Sequence, residues 1–309
     1  MDTVAQAFYE LRFENSFLKK KGTEFQNFFS EIMEKSYPGD FQKIKPWGKS
    51  GDRKNDGYLK SKRMICQVYA PNEMTAKETI KKIEEDFEGA KANWADHFDT
   101  WVFVHNSYDG IGPDIEKALL QLQKDNTDYH IDNWGFEELR RVFVDLDMNA
   151  MQSIFGFAPT GDALKSIGFE ELQIVLNTIQ DQDIPGEPDL RPVSSYKISY
   201  NKLSKNSEIL LTAGMTKASL VENFFAKWSD PTFGDKIAGA FNKKYIQLRD
   251  AGLLPDNILM ELQIFAGGSR QGPPAYQAAV LAVLAHLFEK CDIFERVVEN
   301  HDSANKIPS

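Results

Sequence analysis

GDRKNDGYLKSKRMICQVYAP, residues 51–71, is the stretch whose reading decides the fold. It opens on glycine, carries two aspartates (Asp52 and Asp56), and passes through a burst of lysine and arginine. It ends in a short apolar run that closes on Gln67-Val68-Tyr69. The run Arg63–Tyr69 is apolar and partly β-branched, as a central strand should be. Two shorter extended pieces precede it, around Phe41–Lys45 and Gly57–Leu59.

Working outward, Gly22–Glu34 reads as a helix, because Phe25, Phe28, Phe29, Ile32 and Met33 make one apolar face at helical spacing. Glu24 and Gln26 fall on the two flanks of that face. Pro38-Gly39-Asp40 reads as a turn. A second helix runs from about Ala76 to Asn93, and TWVFVHN (Thr100 to Asn106) is a continuous apolar strand. A helix over Asp114–Lys124, the strand-like DYHIDNW and the helix FEELRRVFVDL follow. This order, α-β-β-β-α-β-α-β-α, predicts an α/β domain with a mixed sheet covered on both faces.

After Phe157 the character changes. TIQDQDIPGEPDLRPVSS holds three prolines and four acidic residues and reads as an exposed connector. Beyond it the chain is mostly helical, over Lys217–Trp228, Phe233–Asp250, Asp256–Phe265 and Ala275–Lys290, with a short terminal piece. AAVLAVLAHLFEKCDIFERVV is apolar nearly all round and should form a buried centre or an interface. GGSRQGPP, Gly267 to Pro274, reads as a turn in which Arg270 is expected to face solvent, with a partner contact as the alternative. The expected division is an α/β domain at 1–157, a connector at 158–194 and a helical domain at 195–309.

Bulk properties narrow the function classes. No segment reaches the roughly 18 apolar residues of a membrane span, and no signal peptide is recognisable at the start. A cytoplasmic protein without a membrane partner is expected. Cys66 and Cys291 sit in separate predicted domains and read as buried thiols. The five histidines form no zinc-type cluster. The net charge of −10 argues against a surface coated in nucleic acid but allows a local patch. Such a patch exists between Gln42 and Arg63, where eight basic residues face two aspartates. They are Lys43, Lys45, Lys49, Arg53, Lys54, Lys60, Lys62 and Arg63, and they form a candidate nucleic-acid-binding set.

Asp56 and Gln67, eleven apart with a turn and a strand between them, are spaced to hold a hard cation such as Mg²⁺ at a scissile phosphate. The Val68 carbonyl and Glu24 are candidates for further ligands. The alternative is that Asp52 and Asp56 are turn residues beside Gly51 and Gly57, with Gln67 a satisfied core polar group.

The pieces GTEFQ (Gly22 to Gln26), GDRKNDG (Gly51 to Gly57) and QVY (Gln67 to Tyr69), in this order, resemble the PD-(D/E)xK nuclease superfamily, in particular its Mrr-like restriction-endonuclease branch. The resemblance covers about the first 150 residues. It implies a restriction-endonuclease-like fold, Mg²⁺, and DNA as substrate. Two positions depart from the pattern. Gln26 stands where the branch has glutamate, with Glu24 two positions earlier, and Tyr69 stands where it has the catalytic lysine. A phenol carries no positive charge at neutral pH, so Lys77 from the following helix is the candidate cation, with Lys54 and Lys60 nearer in sequence.

A second resemblance spans the chain. GDRKNDGYL, QVYAP, IKKIEEDFEGAKANW, WVFVHN and the tail FEKCDIFER are similar to effector-type subunits of ABC-three-component systems, the Lamassu-like group of bacterial anti-phage operons. It implies a bacterial cytoplasmic complex with an SMC-like ABC ATPase and a small third subunit, in which the effector is silent until triggered. Two functions follow as expectations. One is a Mg²⁺-dependent DNA endonuclease, with Asp56, Gln67, Tyr69, Glu24 and Lys77 at its site, activated by homo-oligomerisation. The other is a catalytically degenerate nuclease-fold module that binds DNA or assembles the same complex.

Overall fold

The structure is a computed structural model that describes residues 2–44, 55–180, 197–267, 272–290 and 293–295. The chain divides into two compact units, one of residues 13–154 and one of residues 1–12 with 155–309.

The first unit carries a five-stranded sheet in the order β1-β2-β3-β4-β5. Its strands are β1 Phe41–Lys43, β2 Gly57–Leu59, β3 Met64–Tyr69, β4 Thr100–His105 and β5 His130–Trp134. β1, β2 and β3 pair antiparallel, whereas β3, β4 and β5 run parallel. The sheet is mixed, as expected, and the reason is visible in the connections. A tight 3-10 turn over Lys60–Lys62, with Arg63 left-handed at φ 45°, returns the chain antiparallel. The parallel step from β3 to β4 needs a crossover, which the helix α3, Ala76–Trp94, supplies.

Side chains alternate across β3, and this decides the layers. Ile65 faces Trp101 and Phe103 of β4, and together with Ile83, Phe87 and Ala90 of α3 they form one core. Ile115 and Leu119 from the helix α4, Pro113–Asp125, complete it. On the helix α2, Gly22–Ser36, the predicted face Phe25, Phe28, Phe29, Ile32 and Met33 is buried as expected. Phe25 and Phe28 join an aromatic cluster with Phe13, Phe17, Phe136 and Phe143. Phe136 and Phe143 lie on the helix α5, Phe136–Val144, and Phe29 packs on Phe41 of β1.

The helix α1, Thr3–Lys19, precedes the elements read from the sequence. Its first residues belong to the second unit, where the Tyr9 hydroxyl donates to the Gly156 carbonyl at 3.0 Å. Asp2, just ahead of it, accepts from the Gly161 N–H at 3.0 Å.

The second unit is helical. α6, Met148–Phe155, closes the first unit, and the second holds α7 Gly161–Ser166, α8 Phe169–Gln180, α9 Lys197–Tyr200 and α10 Lys205–Met215. α11 Ala218–Lys227, α12 Phe233–Asp250, α13 Pro255–Gly267 and α14 Pro274–Glu289 follow. The expected connector of 158–194 thus holds two helices in its first part, and its remainder from residue 181 lies outside the described residues. α14 is buried from Tyr276 through Phe288 and runs through the middle of the unit. α10 approaches it so closely that a Cβ on Gly214 would stand 2.6 Å from the Leu281 carbonyl oxygen. After the segment outside the described residues, Lys197 is buried and donates to the Phe288 and Ile293 carbonyls at 2.9 and 2.6 Å. Among the described residues no helix is long and apolar enough to cross a membrane.

Candidate functional site

Asp56 lies in the bend that leads into β2, with its backbone wedged between two strands. Its N–H donates to the Cys66 carbonyl and its own carbonyl accepts from the Ile44 N–H, both at 3.1 Å. The side chain is 3% exposed, and both its oxygens are engaged. Oδ2 accepts from the Val68 backbone N–H at 2.7 Å, and Oδ1 accepts from Nε2 of Gln26 on α2. An ionised carboxylate only accepts, so Gln26 must turn its amino end toward it. Burial, followed by the nearby Asp56 charge, pushes the Cys66 thiol above its ordinary range. That keeps this free cysteine unreactive. Cys291 lies outside the described residues.

Gln67 is likewise buried, at 4% exposed, but its Oε1 has no hydrogen-bond partner. It stands opposite Phe103 in the β3–β4 register, with Tyr69 opposite His105. The pleat therefore puts Gln67 and Tyr69 on the face that carries Trp101 and Phe103. Asn55, next to Asp56, is fully buried and both atoms of its amide lack partners. The sequence reading passed over Asn55; its signal was the unbroken Asn-Asp-Gly run before a strand. Unpartnered buried amides are costly, about 1–3 kcal/mol each, and they concentrate beside the one buried carboxylate of β2's entry.

The other expected site residues are placed differently. Glu24 is exposed in the first turn of α2, and the residue of that helix that reaches Asp56 is Gln26. Lys77 is exposed in the first turn of α3. Tyr69 is half-buried with its ring 6.1 Å from Phe103. Burial, reinforced by Glu78, raises its hydroxyl pKa, so it stays a neutral phenol. The Val68 N–H is committed to Asp56.

The basic residues separate into groups. Lys43 pairs across from Gly57 and donates to Asn27 Oδ1 at 2.6 Å. Lys60, Lys62 and Arg63 occupy the turn at the opposite end of the β2–β3 hairpin from Asp56. Four residue steps along the strand take Arg63 to Gln67, which is about 13 Å at the usual rise. Arg63 pairs with Asp99 at 3.0 Å, and Lys60 donates to the Gly39 carbonyl at 3.3 Å. Lys45, Lys49, Arg53 and Lys54 lie outside the described residues, as do Asp52 and Arg270.

Among the described residues no group of three or more His, Cys, Asp or Glu side chains could hold a metal ion. A divalent magnesium asks for several hard oxygen ligands. Around β2's entry the described residues offer one carboxylate, already hydrogen-bonded at both oxygens, and two orphaned amide oxygens, Asn55 Oδ1 and Gln67 Oε1. As arranged, they do not make a site for a resident cation.

No curated protein and no solved structure matches the chain. A family model does, over the helical unit. Residues 170–295 match C-terminal domain 10 of the ABC-three component (ABC-3C) systems, and that match supports the chain's membership in an ABC-3C system.

Proposed function

We propose that the chain is the effector-type subunit of an anti-phage ABC-3C complex, with a helical unit that docks on partner subunits and an α/β unit that binds DNA without cutting it. The observation that carries the second part is the double engagement of Asp56 by the Gln26 amide and the Val68 N–H. A carboxylate capped by two donors has both oxygens satisfied without a metal, and Tyr69 adds no positive charge where a phosphate would need one. DNA is held instead by surface cations, to which exposed Lys60 and Lys62 contribute. The expected partners are an SMC-like ABC ATPase and a small third subunit.

A second reading, a Mg²⁺-dependent endonuclease activated by self-association, is favoured by one feature. Gln67 Oε1 is an oxygen donor held in the interior without a partner, which is where a cation ligand would be kept. That reading requires Gln26 to release Asp56.

One experiment separates the two. Plasmid and linear DNA are incubated with the chain, alone and with its partner subunits, in Mg²⁺ or in EDTA. The first reading predicts DNA binding that falls steeply with salt, ignores EDTA, and leaves the plasmid uncut even in the full complex. Cleavage that needs Mg²⁺ and disappears in Asp56→Ala establishes the second reading and removes the first.

A further inference from the structure

In the helical unit, α11, α12 and α14 border a cavity of about 320 Å³, at the lower end of the range for small-ligand sites. Phe225 and Trp228 supply aromatic walls, and Glu222, Asp235, His286 and Lys290 supply its polar groups.

The rings are fixed before any ligand arrives. Trp228 stacks on Phe233 at 4.8 Å and on Phe224 at 5.1 Å. Phe225 lies 5.7 Å from the His286 ring and 6.0 Å edge-on from Phe233. Gly234 leaves the wall beside Phe225 bare, since even a Cβ there would come within 3.3 Å of that ring. Such preorganisation spares a ligand the cost of ordering its site.

The charge balance selects the ligand's sign. Glu222 is paired with Lys290 at 3.0 Å. Burial above all lowers the His286 pKa, so the imidazole is neutral at pH 7. Asp235 makes no ion pair among the described residues. The lining therefore carries one net negative charge between aromatic surfaces. A neutral ligand would cover the Asp235 carboxylate without compensating it. A cation gains both from that carboxylate and from the Phe225 ring in the lining. Between the two biological cations, guanidinium is flat, stacks on aromatic rings and sheds water more readily than ammonium.

We propose that this cavity binds a guanidinium group carried on an apolar stem. The source is either a free alkylguanidine or an arginine side chain of another polypeptide. The site is independent of whether the α/β unit cuts DNA.

The test is calorimetric titration of the whole chain with butylguanidinium and with the blocked tripeptide acetyl-Gly-Arg-Gly-amide. The citrulline tripeptide, which is neutral and of the same shape, serves as control. Binding of either guanidinium probe with no binding of the citrulline peptide supports the site, and the stronger of the two identifies the source. Asp235→Asn should weaken that binding roughly tenfold, the loss of one charge-assisted contact. Ala226→Phe, a change at the exposed rim, should block the cavity while leaving thermal unfolding unchanged. No binding of either probe, equal binding of the citrulline peptide, or full affinity in both variants would overturn the proposal.

Discussion

The side-chain amide of Gln26, on a helix, donates to the carboxylate of Asp56, at the entrance to a strand thirty residues later. With the Val68 N–H on the other oxygen, this bond helps to satisfy the buried carboxylate. Replacing Gln26, which is half-buried, with glutamate would set a second carboxylate against the buried one of Asp56. In EDTA we expect Gln26→Glu to lower stability by about 1–3 kcal/mol, since a donor is lost and a like charge gained. Millimolar Mn²⁺ should restore part of that loss by bridging the pair. Unchanged thermal unfolding in EDTA would show that the Gln26 contact carries little weight.

Gly214→Ala tests the close approach of α10 to α14. Alanine is worth roughly 0.5–1 kcal/mol over glycine within a helix. Against it stands a Cβ placed 2.6 Å from the Leu281 carbonyl oxygen and 2.7 Å from the Ala285 Cβ. A backbone oxygen cannot rotate aside, so overpacking of about 1–3 kcal/mol wins. Denaturant unfolding should show a net loss; a gain would mean that the helices separate freely.

His286 gives the helical unit a pH dependence with a definite sign. Its ordinary pKa of 6.5 is lowered to about 4, chiefly by burial and secondarily by Lys290. The folded state thus holds the neutral ring while the unfolded state takes up a proton first. Stability is fully present above pH 6.5 and is lost as pH falls toward 4, by about 3 kcal/mol at the lower end. Chemical denaturation at pH 7 and pH 4.5 should show a smaller decline for His286→Gln than for the unaltered chain. Equal declines would assign the pH dependence to other groups.

Lys197→Met tests the buried ammonium. Methionine keeps the volume and removes the cost of burying a charge, but it strands the Phe288 and Ile293 carbonyls. With each stranded carbonyl worth about 1–3 kcal/mol, the net should be a loss of about that size. Hydrogen exchange near residues 293–295 should accelerate first. Protection equal to that of the unaltered chain would assign the anchoring to the packing of Ile293 and Phe294, both buried.

The elements with local punctuation were legible in the sequence. Phe233–Asp250 was read with both its ends, and Gly57–Leu59 likewise, because turn residues bracket each. The helix Thr3–Lys19 was not read. Its odd-numbered positions from Tyr9 to Phe17 are all buried while Glu10, Arg12, Glu14 and Ser16 are half-buried, which blurs the helical period. At the candidate site, spacing along the chain picked out Asp56 and Gln67, both of which are buried. It could not supply Gln26 as the partner of Asp56, since that contact depends on how a helix lies against a strand edge. Nor could it divide the basic run. In sequence Lys60, Lys62 and Arg63 adjoin Asp56, but a hairpin two strands deep carries them to its far end.

The bond from Tyr9 to the Gly156 carbonyl and the contact of Asp2 with Gly161 bear on how the protein can be taken apart. Residues 13–154 behave as a guest spliced into a host whose own polypeptide starts before and resumes after it. Expressing everything downstream of residue 157 would amputate the host's opening dozen residues, whereas excising the guest and suturing 12 to 155 leaves the host's chain whole.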